Sequence, residues 1–234
     1  LKLQSRRHEL YLAGAGLTGV TLYFLFENLA LTYTYSANAS VIVSTAPFFV
    51  AMATRVFLKN ERLTRSFFVG FVIAIGGVAL VCFAGQALHL NPLGDGLCIL
   101  AAICWAFYSV FIKKLDGFGY STLLVTRRVF EYGVLFLLPC MAIFGFSPTL
   151  PELLRPEVLF NLLFLGLIAS ALCFVTWNTA VRDLGAIRTS AYIYLSPVVT
   201  ILAAWLILSD PIHPLALVGA ALTLIGLVVS QRKR

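Results

Sequence analysis

The chain has 234 residues, 60% of them hydrophobic and only 12% charged, with a mean hydropathy of +0.94. A soluble domain carries roughly 25% charged residues, so this composition excludes an ordinary globular enzyme and places the chain in the membrane class. The net charge of +7 does not argue for nucleic acid. The basic residues fall in short segments between apolar runs, where they set topology and meet lipid phosphates.

Crossing hydrocarbon takes a run of about 20 apolar residues, and each run has to be helical because its backbone polar groups must be satisfied within the segment. Eight such runs are expected. The first, 10–32, carries Glu27 and Asn28 side by side, a costly pair in lipid. Asn28 reads either as an interhelical hydrogen bond or as a gate, and Glu27 either as a residue reaching for water or as a solute contact. The second run, 37–58, contains Pro47 about ten residues in, next to Ser44 and Thr45. Proline removes a donor and crowds the carbonyl four residues back, so a kink lining a cavity is expected. The third run is 66–84. The fourth, 93–112, brings Trp105 and Tyr108, read either as cavity lining or as packing.

The fifth run, 121–145, carries Glu131 with Arg127 and Arg128 one helical turn before it. Such spacing makes an ion pair. It also suits a carboxylate that binds a proton or an amine, with Arg127 available to a solute carboxylate, hence a zwitterion. The sixth run, 158–181, holds Asn178, read with Asn28 as one of a matched pair of gates; the seventh, 189–208, holds Pro197 and, beside it, Tyr194, read either as satisfying backbone freed at the kink or as a solute contact; the eighth is 214–231. The five cysteines lie inside apolar runs without metal-ligand spacing, and the three histidines are scattered. Neither a metal site nor a cofactor is expected, and no nucleophile–base set for an enzyme is visible.

With the N-terminus inside, sixteen of the seventeen Lys and Arg residues fall on the inner side, and only Arg155 falls outside. That asymmetry predicts a multi-pass protein of the cytoplasmic membrane with both termini cytoplasmic.

A shift of 150 residues superimposes Gly16 on Gly166, Phe24 on Phe174, Asn28 on Asn178, Ser40 on Ser190 and Pro47 on Pro197. At a shift of 149, Glu61 meets Asp210, Gly70 meets Gly219 and Gly77 meets Gly226. The loop after the second run is basic and its counterpart "SDPIH" has no Lys or Arg, so the two copies face opposite ways, as inverted repeats of secondary transporters do. Runs 93–112 and 121–145 have no counterpart in the first copy. The expectation is therefore an incomplete first repeat of three helices over 1–85 and a second repeat of five over 93–231, with two further helices before Leu1 in the intact protein.

Two segments carry a resemblance: "NASVIVSTAPFFVAMATRVFLKNERLTRSFFVGFVIAIGGVALV" (38–81) and "IRTSAYIYLSPVVTILAAWLILSDPIHPLALVGAALTLIGLVV" (187–229). Each has a small-residue helix with a central proline, a short loop with an acidic residue, and a glycine-containing last helix. The chain resembles the EamA-type family of the drug/metabolite transporter superfamily. The resemblance implies an all-α polytopic membrane protein with eight helices here and ten in the intact family, arranged as inverted five-helix repeats. It implies a secondary transporter exporting a small organic metabolite such as an amino acid by alternating access, with the lipid bilayer as its surroundings and a proton as candidate coupling ion. The alternative is a non-transporting helical scaffold or partner subunit.

Overall fold

Backbone amides and carbonyls have no water to bond to in hydrocarbon, so apolar runs of this length close their hydrogen bonds internally. The computed structural model describes residues 5–58, 64–83, 91–145, 149–203, 205–206 and 213–232. Among them, the long helices are α1 (Arg6–Leu31), α2 (Ser36–Phe57), α3 (Arg65–Cys82), α4 (Pro92–Asp116), α5 (Thr122–Ile143), α6 (Pro156–Leu184), α7 (Ala186–Ala203) and α8 (Pro214–Gln231). Seven of these are long and apolar enough to cross a membrane. The helix outside that set is α5, the one that carries Arg127, Arg128 and Glu131 together. Lys2, Lys59, Glu61, Arg62, His89, Asp210, Lys233 and Arg234 lie outside the described residues.

The helix starts follow local chemistry. Ser5, Thr64, Asn91 and His213 each accept a backbone N–H from the first turn of the helix that follows, which relieves donors that have no intrahelical partner. Gly185, at φ 89°, separates α6 from α7, a backbone geometry that side chains with a Cβ rarely adopt.

Four of the helices are interrupted. In α2 the α-helical pieces Ser36–Val43 and Ala46–Phe57 are split at Ser44 and Thr45, just ahead of Pro47. The Ser44 hydroxyl donates to the Ser40 carbonyl (2.7 Å) and the Thr45 hydroxyl to the Ile42 carbonyl (2.6 Å). Both carbonyls also accept the backbone N–H of the same residue, while the carbonyl that Pro47 deprives of its donor is that of Val43. In α7 a 3₁₀ turn, Tyr192–Tyr194, precedes Pro197 in the same way. The other two interruptions are π-helical segments, Leu17–Leu22 in α1 and Phe164–Leu172 in α6.

Helix α4 is the hub. It is half buried over its most apolar stretch and packs against α1 and α2, while α1 also lies along α5. Helix α6 is the opposite case, the most apolar helix of the seven and only 6% buried over that stretch. Its exposed Leu, Ile and Phe side chains suit hydrocarbon rather than water.

The tightest crossing joins α3 and α8 through glycine. A Cβ on Gly77 would stand 2.6 Å from the Gly219 carbonyl and 2.5 Å from the Thr223 amide, and one on Gly226 would stand 2.7 Å from the Gly70 carbonyl. Backbones approach this closely only where side chains are absent. Neighbouring Gly76 has open space at the same point. Gly77→Ala is therefore expected to destabilise the folded protein by about 1–3 kcal/mol, the cost of overpacking a tight contact. Gly76→Ala is expected to stay within about 0.5 kcal/mol of the parent. Thermal unfolding in detergent, followed by tryptophan fluorescence, measures the difference.

Candidate functional site

The interrupted stretches of α2 and α7 border one cavity of about 630 Å³. Helix α1 contributes Tyr23, Glu27 and Leu31, spaced by four and so aligned on one helical face. Helix α2 contributes Ser36, Ser40 and Ser44 at the same spacing, with Ala39, Val43 and Ala46 beside them. Val81 and Cys82 close one side from the last turn of α3, and Trp105 enters from α4. From α7 come Ile193, Ser196, Pro197 and Ile201. The cavity therefore lies between the two segments that the sequence pairs as repeats.

Its chemistry is uneven. Glu27 accepts a hydrogen bond from the Tyr23 hydroxyl at 3.0 Å. The Tyr23 ring lies 5.1 Å from that of Trp105. The Trp105 indole N–H is buried and has no hydrogen-bond partner among the described residues. Glu27 is the single ionisable carboxylate among the described lining residues, and no Lys, Arg or His stands with it there.

Further along α4 an aromatic cluster fills the space. Trp105 contacts Tyr108 (5.1 Å), Trp177 (5.0 Å) and Phe174 (5.7 Å), and Phe174 meets Phe130 at 4.9 Å. Tyr108 is fully buried and donates to Asn178 Oδ1 at 2.6 Å. Asn178 Nδ2 in turn donates to the Thr126 hydroxyl at 2.9 Å. One side chain thus fastens α6 to both α4 and α5. Asn28, its counterpart in the sequence, is exposed and donates to the Phe24 carbonyl of its own helix.

Glu131 and Arg127 lie elsewhere, in an open cleft of about 590 Å³ between α5 and α6 with Thr126, Phe130 and Val134. Both Glu131 oxygens are occupied, Oε1 by Arg127 (2.9 Å) and Oε2 by Arg128 (2.8 Å). Arg128 also bridges to Glu9 of α1 at 3.0 Å, and the Tyr132 hydroxyl donates to the same carboxylate. The structure does not bring Glu131 and Glu27 into one site. Tyr194 is fully buried in α7, packed with Ala74 and Leu227, and its hydroxyl has no partner among the described residues. Pro47 is buried behind the break in α2.

Two participants escape sequence reading. Glu9 is 119 residues from Arg128, and nothing local marks the pairing. Tyr23 was legible in principle, because a hydroxyl four residues before Glu27 on a helix falls within reach of it.

The fold is that of a multi-span helical membrane protein. The chain matches the EamA-like transporter family over residues 1–83 and 92–231 and belongs to that family. An "Uncharacterized transporter" of Archaeoglobus fulgidus is 31% identical to it, covering 96% of this chain and 77% of the relative. A "Probable terminal-alkyne amino-acid exporter" of Streptantibioticus cattleyicolor is 32% identical, covering 95% of this chain and 73% of the relative. A solved crystal structure superimposes with a TM-score of 0.77 over 95% of this chain and 76% of its own; at 21% identity it shows the shared fold.

The contrast between the two asparagines is measurable. Asn178→Ala leaves the Tyr108 hydroxyl without its acceptor in a buried place, a loss of about 1–3 kcal/mol. Asn28→Ala, on the surface, is expected to change stability by no more than about 0.5 kcal/mol. Thermal unfolding of the two variants in the same detergent compares them directly.

Proposed function

We propose that the chain is a secondary transporter that exports a small organic metabolite bearing an amino group, such as an amino acid, by alternating access between two inverted repeats. The observation that carries this reading is the cavity between α1–α3 and α7, bordered by a broken helix from each half and holding one carboxylate. Broken helices at a repeat interface are where transporters of this architecture place their solute.

Three features support the inversion. The π segments of α1 and α6 overlap when the sequence is shifted by 150 residues, and the breaks before Pro47 and Pro197 correspond at the same shift. The glycine crossing pairs Gly77 with Gly219 and Gly70 with Gly226. Exchanging repeat mates turns the first contact into the second, as a two-fold axis requires. On this reading 1–85 is three helices of one repeat and 93–231 the five of the other. Helix α5 is the eighth crossing, its charges held by one another and by Glu9. Both termini face the cytoplasm, the cavity opens away from it, and the membrane is the cytoplasmic one. Tyr108 and Asn178 with their aromatic neighbours close the cavity toward the cytoplasm, and Glu27 is the group that takes a coupling proton. The relative named as an amino-acid exporter supports an amino-bearing solute.

Purified protein in proteoliposomes tests this reading. Amino acids and simple amines are expected to exchange across the bilayer at a rate that rises with an imposed pH gradient and falls at least tenfold in Glu27→Gln. Undiminished flux in Glu27→Gln would remove Glu27 from the path. Protein that folds normally and moves none of these solutes would remove transport itself.

A further inference from the structure

We infer that, among solutes bearing an amino group, the cavity prefers an organic monocation, an amine without a free carboxylate, to a zwitterionic amino acid, and either to an anion. This rests on the reading of the cavity as the solute site. A zwitterion needs a cationic partner for its carboxylate, and the groups that would supply both charges are split between two places. Arg127 lies in the α5–α6 cleft and is paired with Glu131. Among the described residues lining the main cavity, Glu27 stands without any Lys, Arg or His.

Once it has released its proton, a carboxylate in such a place needs a counter-charge. Glu27 has one hydrogen bond, from a neutral phenol, which does not neutralise it. A protonated amine does, and Tyr23 and Trp105 line the cavity beside Glu27, where an aromatic face turned to an ammonium adds cation–π attraction. The serines of α2 offer neutral polar contacts, and the aliphatic side chains of Val43, Ile193 and Ile201 suit an apolar body. A solute carboxylate entering here would meet Glu27 as a like charge, which is repulsive and poorly screened away from water.

Three probes with the same ring separate the possibilities: phenylethylamine carries +1, phenylalanine is zwitterionic, and phenylacetate carries −1. Isothermal titration of the purified protein at neutral pH is expected to show saturable binding of phenylethylamine at least tenfold tighter than phenylalanine, with phenylacetate weaker than both. Glu27→Gln should abolish the preference for the amine. Glu27→Asp, which keeps the charge, should keep the order of the three. Equal or tighter binding of phenylalanine or phenylacetate overturns the inference, as does an amine preference that survives Glu27→Gln, or no saturable binding of the amine. Flux of the same three probes in proteoliposomes keeps the two readings apart. Amine-selective binding without flux of any probe contradicts transport and leaves the selectivity standing. Flux with phenylalanine preferred contradicts the selectivity and leaves transport standing.

Discussion

Every backbone amide and carbonyl in a membrane span has to find its partner inside the protein, and that constraint organises this structure. It makes the apolar runs helical. It also limits where a helix can be broken, because a break frees polar groups that only a cavity or a neighbouring side chain can satisfy. The breaks in α2 and α7 border the same cavity, a place where freed polar groups are tolerated. The prolines set the position of the breaks, and the breaks border the cavity.

The same physics sorts the polar side chains in the helices. Most are committed to partners. Asn178 ties three helices through Tyr108 and Thr126. Arg127, Arg128, Glu131 and Glu9 form a network in which the charges offset one another. Glu27 differs: it lines a roomy cavity with one neutral donor as its hydrogen-bond partner among the described residues. Groups that face a cavity with unmet hydrogen-bonding capacity are the ones a solute can recruit. This difference in commitment, rather than depth alone, separates the candidate binding residues from the structural ones.

Much of the architecture was legible in the sequence because it depends on local or periodic signals. Apolar run length marked the helices and Pro47 and Pro197 marked the breaks; the glycines of α3 and α8 matched as repeat mates, and only the structure shows that the two helices meet through them. Charge counting also singled out α5, though only the structure shows how Glu9 joins its network. The long-range polar pairs were not legible. Arg128 with Glu9 and Tyr108 with Asn178 are separated by 119 and 70 residues, and no spacing rule connects them. The asparagines are instructive. The repeat pairs Asn28 with Asn178, yet Asn178 meets α4 and α5 while Asn28 sits on the surface of α1. Sequence equivalence carries over backbone position; the environment of a side chain depends on which helices pack against it.

The account centres on a cavity that changes its access as the two halves move. Spin labels at Thr32, at the end of α1, and Val199, on α7 just past Pro197, are both on exposed positions and flank the cavity from opposite halves. Double electron–electron resonance between them, in a variant that retains flux, measures that movement most directly. The account predicts two distance populations whose proportions shift when a transported solute is added, since a ligand moves an equilibrium by its differential affinity for the two states. A single distance, unchanged by solute while flux continues, would contradict it.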